Sequence, residues 1–305
     1  MSQNRKSKGN RVMIVGARYV ISFLLALDMT VMLILSMLAF SFTNKDVILG
    51  VFSQDAYCEE VRDFIVTTGN KVTYTVGITE EELYGDDLSI DRIREQAVAY
   101  ASAALENEFY LIDIEKFQQD IYDNILDYMA DRGFEESESN LKSAMYLAQT
   151  VTGYYQNGVE FPAFGTFASI CRTISGYMVY ALAGGSVLAV ILIVLLFMLC
   201  RRKYHGAKFI IYSIISAMLN ILVPVGYLYF SRVYTRITIT TGFIKYFITE
   251  FCDTCIHRLG LFCLIFVPVI IVLLVWEGIS HKKAVEKDSR HGHHHRRQRK
   301  ESENA

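Results

Sequence analysis

A single carboxylate, Asp28, interrupts a long apolar run near the start of the chain. The run from Arg18 to Phe42 is long enough to cross a bilayer as a helix, because a helix rises about 1.5 Å per residue and the hydrocarbon core is about 30 Å thick. Asp28 would then lie about 15 Å from the basic end of the run. Asn220 and Ser186 fall at a similar depth in two later apolar runs, so the three residues form a candidate intramembrane polar cluster.

The chemistry of this cluster has three interpretations, since an ionisable side chain inside a membrane span is a candidate functional site. Asp28 could be protonated and hold helices together through hydrogen bonds to Asn220 or Ser186. It could contact another membrane protein, or it could bind a proton or a cation during transport. No Lys or Arg lies at the same depth to neutralise the carboxylate. Because a lone acid is a sparse transport site, the pattern favours the structural interpretation.

Four cysteines lie outside the apolar runs and are candidates for disulfide bonds: Cys58, Cys171, Cys252 and Cys255. All four are expected on one side of the membrane, and an oxidising compartment there would favour disulfides. Free thiols are the alternative. Cys252 and Cys255 form a CxxC pair, but a redox site of that kind needs a thioredoxin-like βαβ context.

The only grouping that could pair a base with a nucleophile is His257 with Cys252, Cys255 or Asp253. The acidic stretch 43–176 contains no histidine. The sequence also lacks the GxxxxGK[ST], GxSxG and HExxH motifs of nucleotide-binding proteins, serine hydrolases and zinc proteases. We therefore expect no enzymatic activity and no cofactor.

Four histidines near the end of the chain are weak candidates for transition-metal ligands: His291, His293, His294 and His295. Histidine-rich tracts can bind such metals. They lie among Lys and Arg residues, however, and a solvated basic tail in contact with lipid headgroups explains the composition equally simply. No resident metal is predicted.

The apolar residues are concentrated in four segments, 19–42, 177–200, 209–230 and 259–279, and the mean hydropathy of the chain is +0.27. Each segment has about the 20 residues that a membrane-spanning helix needs. Runs this continuous indicate helices rather than the strands of a barrel. The first segment exceeds the roughly 7–15 apolar residues of a signal peptide, so we expect an uncleaved signal anchor.

Charge is distributed unevenly, although the net charge is only −2. Residues 1–18 carry five Lys or Arg and no acid, and residues 201–208 carry four and no acid. Residues 281–305 carry eight bases and four acids, whereas residues 43–176 carry nine bases and 24 acids. Because short loops rich in Lys and Arg stay cytoplasmic, both termini are predicted to lie inside and residues 43–176 outside. Basic segments beside membrane spans suit lipid headgroups better than nucleic acid.

The predicted fold class is an all-α membrane protein with four transmembrane helices and a small helical extracytoplasmic domain inserted between helices 1 and 2. Its successive parts are a basic cytoplasmic leader (1–18), transmembrane helix 1 (19–42), the helical extracytoplasmic domain (43–176), transmembrane helix 2 (177–200), a cytoplasmic loop (201–208), transmembrane helix 3 (209–230), an extracytoplasmic loop with an amphipathic helix (231–258), transmembrane helix 4 (259–279) and a disordered, basic, His-rich cytoplasmic tail (280–305).

Helix-start signals recur through residues 43–176. Thr79 and Glu82 form a predicted capping box, in which the side chain of each residue accepts a hydrogen bond from the backbone N–H of the other. Ser53, Ser89 and Asp113 are predicted N-caps. Apolar side chains follow each cap at intervals of three or four residues, which is typical of the buried face of a helix. The stretch therefore predicts a small helical bundle with its own core.

Two shorter stretches, 71–77 and 231–240, alternate like strands, although a single strand is not stable alone. The amphipathic helix of the second outer loop carries Phe243, Tyr246, Phe247 and Phe251 at helical spacing. It could lie on the membrane surface or pack beneath the extracytoplasmic domain. Both arrangements bury the same face, so the sequence leaves the choice open.

The predicted outer region contains the stretches Asp55–Tyr57, Gly77–Leu83 and Asp113–Phe117. In these stretches and in the order of its parts, the chain resembles uncharacterised four-span membrane proteins of Gram-positive bacteria with a helical extracytoplasmic loop between spans one and two. The resemblance implies a cell-membrane setting and no particular activity. Tetraspanins carry a Cys-Cys-Gly motif that this sequence lacks, and a helical outer region does not suit the sheet of a claudin.

The sequence therefore predicts a non-enzymatic, multi-pass protein of the cell membrane: a sensor, an adaptor or an accessory subunit of a membrane complex. Its expected partners are the lipid bilayer and either another membrane protein or a second copy of the chain. A small transporter or channel-like protein that uses Asp28 is the first alternative. An outer-face membrane enzyme that uses His257 is the second.

Overall fold

The computed structural model describes the backbone of residues 2–303 apart from residues 75, 111, 162, 201, 202 and 237. Side chains are described for residues 13–279 and for residue 282, apart from the same positions and residues 203 and 204. This part of the chain contains ten α-helices and no strand. The helices are α1 (Ser2–Met37), α2 (Lys45–Phe52), α3 (Asp55–Thr73), α4 (Glu80–Tyr84), α5 (Ile90–Glu106), α6 (Ile114–Asp131), α7 (Glu138–Val159), α8 (Phe164–Leu199), α9 (Lys203–Ser231) and α10 (Gly242–Glu303).

The two stretches with strand-like alternation are not strands. In the first, α3 continues as far as Thr73, and in the second a 3₁₀ turn occupies Val233–Arg236. A strand needs a partner for its backbone hydrogen bonds, and the described residues offer neither stretch a neighbouring strand.

Four helical stretches are long and apolar enough to cross a membrane: Met13–Phe52, Glu138–Leu199, His205–Ser231 and Gly242–Ile279. In the apolar windows of these stretches, between 11% and 28% of the residues are buried. Most of their apolar side chains therefore face outward, and apolar surface of this extent is unfavourable in water. The prediction of an all-helical fold with four such helices is confirmed.

The chain divides into two compact units. The apolar unit comprises residues 1–38, 178–231 and 257–305, and the acidic unit comprises residues 39–177 and 232–256. Helices α8 and α10 each contribute residues to both units. The second segment of the acidic unit is remote in sequence from the first, so this unit is larger than the predicted domain 43–176.

In the apolar unit, α1 shares apolar clusters with all three of the other helices. Leu25 of α1 clusters with Leu192 of α8, and Met37 of α1 clusters with Ile221 of α9 and Cys263 of α10. The opening apolar run of the sequence thus contributes buried side chains to both apolar clusters of this unit.

Two polar contacts fix the position of α1 along its neighbours. The hydroxyl oxygens of Ser22 on α1 and Ser213 on α9 are 2.9 Å apart and form a hydrogen bond. The guanidinium of Arg18 donates two hydrogen bonds, of 3.0 and 2.6 Å, to the carbonyl of Leu199 at the end of α8. The last carbonyl groups of a helix have no hydrogen-bond donor within the helix, so Arg18 supplies the donor that the Leu199 carbonyl lacks.

The acidic unit has a hydrophobic core built from the apolar stripes that the sequence predicts. Val61 of α3, Ile93 of α5, and Phe117 and Ile121 of α6 are fully buried. The Phe117 ring stacks on Tyr155 of α7, with ring centroids 4.1 Å apart. Burial of such side chains is the main favourable contribution to folding.

Most of the predicted helix caps are confirmed. Thr79 and Glu82 form the capping box of α4, and the side chains of Ser89 and Asp113 accept backbone N–H groups at the starts of α5 and α6. The prediction for Ser53 is wrong. Ser53 ends α2, its hydroxyl donates to the carbonyl of Gly50, and Gln54 precedes α3 without a side-chain cap.

The predicted amphipathic helix is the first part of α10, and it packs into the core of the acidic unit. Phe243, Phe247 and Phe251 are 1–4% exposed. The Phe247 ring lies 4.9 Å from the ring of Phe52 on α2. The hydroxyl of Tyr246 donates a hydrogen bond of 2.7 Å to Gln54. Of the two arrangements that the sequence left open, the structure has the one in which this face packs against the helical domain.

The tail 280–305, predicted to be disordered, continues α10 as far as Glu303. The leader is likewise helical from Ser2. Lys, Arg, Glu and Gln have high helix propensity, and no proline follows Pro268 to end the helix that enters the tail. A low content of apolar residues indicates that a segment has no hydrophobic core of its own, but it does not exclude a helix.

Candidate functional site

Asp28 lies on α1 where α8 comes close to it. A Cβ placed on Gly185 of α8 would be 3.5 Å from a carboxyl oxygen of Asp28 and would collide with the sulfur of Met32. Glycine at this position therefore lets α8 approach the carboxyl group. The Oδ2 atom of Asp28 is buried, and it forms no hydrogen bond with any part of the chain that the structure describes.

The predicted hydrogen bonds from Asp28 to Asn220 or Ser186 are not formed. The side-chain amide of Asn220 donates to the hydroxyl of Thr30 at 3.4 Å, and the hydroxyl of Ser186 donates to the carbonyl of Leu182 within α8 at 2.8 Å. Thr30 is two residues from Asp28, which is more than half a turn around α1. Depth alone could not show this, because residues at one depth can point in different directions.

Of the two alternatives for the outer cysteines, disulfide bonds or free thiols, the structure has free thiols at each described cysteine. Cys58 and Cys171 are buried in the core of the acidic unit. The Cys58 thiol donates a weak hydrogen bond of 3.6 Å to the carbonyl of Phe52. Burial raises the pKa of the Cys58 thiol to about 11, because the thiolate is costly to form away from water. Cys58 is therefore a packing residue with low reactivity at neutral pH.

The residues of the predicted enzyme grouping have other partners. The carboxylate of Asp253 accepts a hydrogen bond of 2.5 Å from the hydroxyl of Tyr234. The ring of His257 packs edge-on against Tyr229, with centroids 5.4 Å apart. Among the described residues, no three His, Cys, Asp or Glu side chains are close enough together to hold a metal ion. The side chains of His291, His293, His294 and His295 lie outside the described residues.

The acidic unit contains an apolar cleft that the sequence did not predict. It has a volume of about 290 Å³ and lies between the end of α3, the turn after it, the end of α6 and the start of α7. The residues that line the cleft are Val72, Val76, Ile78, Ile125, Tyr128, Met129, Phe134, Asn140, Ser143, Ala144, Tyr146 and Leu147.

The cleft is open because several of its apolar side chains are not covered. Tyr146 is 71% exposed, Phe134 is 52% exposed and Val76 is 49% exposed. Ile125 and Tyr128 belong to the stripe that the sequence assigns to the core. The only signal in the sequence was the presence of bulky apolar residues at Phe134 and Tyr146, where acidic and polar neighbours predict a solvent-facing position.

Three of the four polar side chains that line the cleft, Tyr128, Asn140 and Ser143, form hydrogen bonds inside the chain. The hydroxyl of Tyr128 donates to the carbonyl of Val76 at 3.2 Å. The amide of Asn140 donates to the carbonyl of Glu135 at 2.9 Å, and the hydroxyl of Ser143 donates within α7. A ligand would therefore meet mainly apolar surface here, and these hydrogen bonds would hold the walls in place.

The bases beside the cleft are paired as well. Arg132 forms an ion pair of 3.8 Å with Glu82 and lies over the ring of Tyr128, and Lys142 pairs with Glu138 at 2.6 Å. All four charged side chains are at least one-third exposed, so each pair contributes about 1 kcal/mol or less. Because Arg132 and Lys142 are engaged in these pairs, neither forms an ion pair with the other acids of this segment.

Comparison of the chain with protein-family models, curated proteins and solved structures finds no match.

Proposed function

We propose that this chain is a multi-pass protein of the cell membrane, with both termini in the cytoplasm and the acidic unit on the outer side. The four long apolar helices and their outward-facing apolar side chains support a membrane setting. The basic residues 1–18 and 201–208 support the orientation, since short basic segments stay in the cytoplasm.

In that setting the chain acts as a sensor, an adaptor or an accessory subunit, and the acidic unit binds a partner through the cleft. The observation that carries this function is an open apolar cavity of about 290 Å³ in which the side chains of Tyr128, Asn140 and Ser143 are already hydrogen-bonded within the chain. A binding site of this kind is concave and mostly apolar. No chemical step is assigned to it.

The orientation is tested by labelling introduced cysteines in intact cells with a membrane-impermeant thiol reagent. Glu108 is exposed in the acidic unit, and Lys282 follows the last apolar stretch. We expect Glu108→Cys to be labelled in intact cells and Lys282→Cys only after lysis, against a background that lacks Cys252. The opposite pattern would show that the orientation is inverted.

The binding function is tested by filling the cleft and asking whether a partner is lost. Ser143 lines the cleft at an exposed position of α7, so Ser143→Trp places a ring in the cavity. Gln149→Trp adds the same bulk to an exposed position of α7 outside the lining and serves as the control. In cross-linking pull-downs, a stoichiometric partner should be retained by Gln149→Trp and lost by Ser143→Trp. Recovery of monomers alone, or a partner unaffected by Ser143→Trp, would contradict the proposal.

Transport through Asp28 is the second candidate function. The observation that favours it is a buried carboxyl oxygen without a hydrogen-bond partner among the described residues, since such groups in membrane spans mark ion and proton pathways. Purified protein in liposomes would then show ion flux that Asp28→Asn abolishes. Flux that is absent, or unchanged by Asp28→Asn, would leave the carboxyl group as a packing residue.

A further inference from the structure

The end of α6 and the turn after it form one rim of the cleft through Phe134, and this segment carries three acids without an ion pair in the described chain. Asp131, Glu135 and Glu136 are exposed, and none forms an ion pair with another residue of the described chain. Arg132 and Lys142, the bases nearest to these acids in the chain, already pair with other acids. Acids concentrated on one rim create a local potential that attracts cations.

The apolar wall beside this rim is formed by side chains from three different segments. Val76 comes from the turn after α3, Phe134 from the turn after α6, and Tyr146 from α7. Each is about half exposed or more. Aromatic and aliphatic side chains at a concave surface are the usual receptors for the anchor residues of a partner.

The cavity volume limits what this wall can hold. At about 290 Å³ the cleft is just below the range of about 300–1,000 Å³ found for ligand pockets. It suits a few apolar side chains better than a whole large ligand. The remainder of such a partner would lie outside the cavity, against the acidic rim.

Granted the binding function proposed above, we infer that the cleft takes an amphipathic, cationic peptide segment. Its apolar side chains would fill the cleft, and its Lys or Arg side chains would face Asp131, Glu135 and Glu136. This is the helix-in-groove mode of recognition, in which apolar anchors at helical spacing supply affinity. The charges supply selectivity and speed of association more than affinity.

The test uses the full-length chain in nanodiscs of zwitterionic phosphatidylcholine and two fluorescein-labelled helical peptides. Both peptides carry leucine at the same helical positions, and their polar faces are Lys in one and Glu in the other. Binding is followed by fluorescence anisotropy, and empty nanodiscs measure the contribution of the lipid. We expect the Lys peptide to bind at least tenfold more tightly than the Glu peptide, with an affinity that falls as salt is added.

Variants separate the charge effect from the cleft itself. Glu135→Gln with Glu136→Gln should weaken binding of the Lys peptide by about threefold to tenfold, since two exposed charge contacts are lost. The control removes the same charge from two exposed acids outside the cleft lining, Glu95→Gln with Glu108→Gln, and should have no such effect. Ser143→Trp should abolish specific binding of the peptide.

Each failure has a distinct meaning. Equal binding of both peptides, sensitive to Ser143→Trp, would keep the cleft as a binding site and overturn the inference about charge. Binding of a fluorescent fatty acid that Ser143→Trp blocks, without binding of the Lys peptide, would make the occupant an acyl chain and also overturn the inference. Absence of all binding that depends on Ser143 would contradict the proposed function as well.

Discussion

The most informative perturbation of the fold is Phe247→Ala, because it tests whether the start of α10 belongs to the core of the acidic unit. The Phe247 ring is 3% exposed and lies 4.9 Å from Phe52, 5.1 Å from Phe161 and 5.8 Å from Phe251. Replacing a buried phenylalanine by alanine costs about 3–5 kcal/mol, through lost burial and the cavity left behind. A loss of this size corresponds to about a 100-fold to 4,000-fold larger population of the opened unit.

Hydrogen–deuterium exchange of the full-length protein in nanodiscs measures this population directly. Amide groups of α3 and α7 in Phe247→Ala should exchange faster by about the factor given above, provided that they exchange by opening of the whole unit. Phe109→Ala is the matched control, because Phe109 belongs to the same unit and is 87% exposed. Unchanged protection in Phe247→Ala would refute the packing, and would place this amphipathic face on the membrane surface instead.

Three further predictions concern stability. Gly69→Ala should destabilise the acidic unit by about 1–3 kcal/mol, because the added Cβ collides with the Tyr84 hydroxyl, whereas Gly153→Ala, with open space around it, should stabilise α7 by up to about 1 kcal/mol in the same denaturation assay. Asp28→Asn should leave expression and the melting temperature in nanodiscs nearly unchanged, because it keeps the shape of the side chain. Asp28→Leu should lower that temperature, since a branched apolar side chain meets the close approach of α8. Stability should fall as pH rises from about 8.5 to about 11, in part because the Cys58 thiol ionises there in the unfolded chain while burial keeps it protonated in the folded one, and Cys58→Ala should remove that part of the decline.

Local signals in the sequence predicted much of the fold. The capping box of Thr79 and Glu82 and the cap at Asp113 are each formed by residues within one helical turn, so their chemistry is readable without a structure. The stripe from Phe117 to Tyr128 predicts a buried helix face for the same reason. The helices long enough to span a membrane were equally clear, because an uninterrupted apolar run needs no tertiary partner to be recognised.

The site features depended on directions that spacing along the chain cannot supply. Asp28, Asn220 and Ser186 were predicted to lie at similar depth, but depth does not determine which way a side chain points from its helix. Their hydrogen bonds therefore go elsewhere, and it is Gly185 that faces Asp28. The sequence predicted the amphipathic face at Phe247. It could not predict which surface covers that face, since a membrane and a protein core offer it the same apolar contact.

The sequence by itself thus determined the all-helical character of the chain, the four long apolar helices and the caps of the acidic unit, because each depends on residues within a few turns of one another. Only the tertiary structure decided that residues 242–256 complete the core of the acidic unit, and that Val76, Phe134 and Tyr146 meet around one cleft. Those residues are distant in the chain, and each of them taken alone has the pattern of an ordinary helix face or turn. Their meeting follows from how α3, α6 and α7 pack, and that packing is set by the whole core rather than by any single stretch.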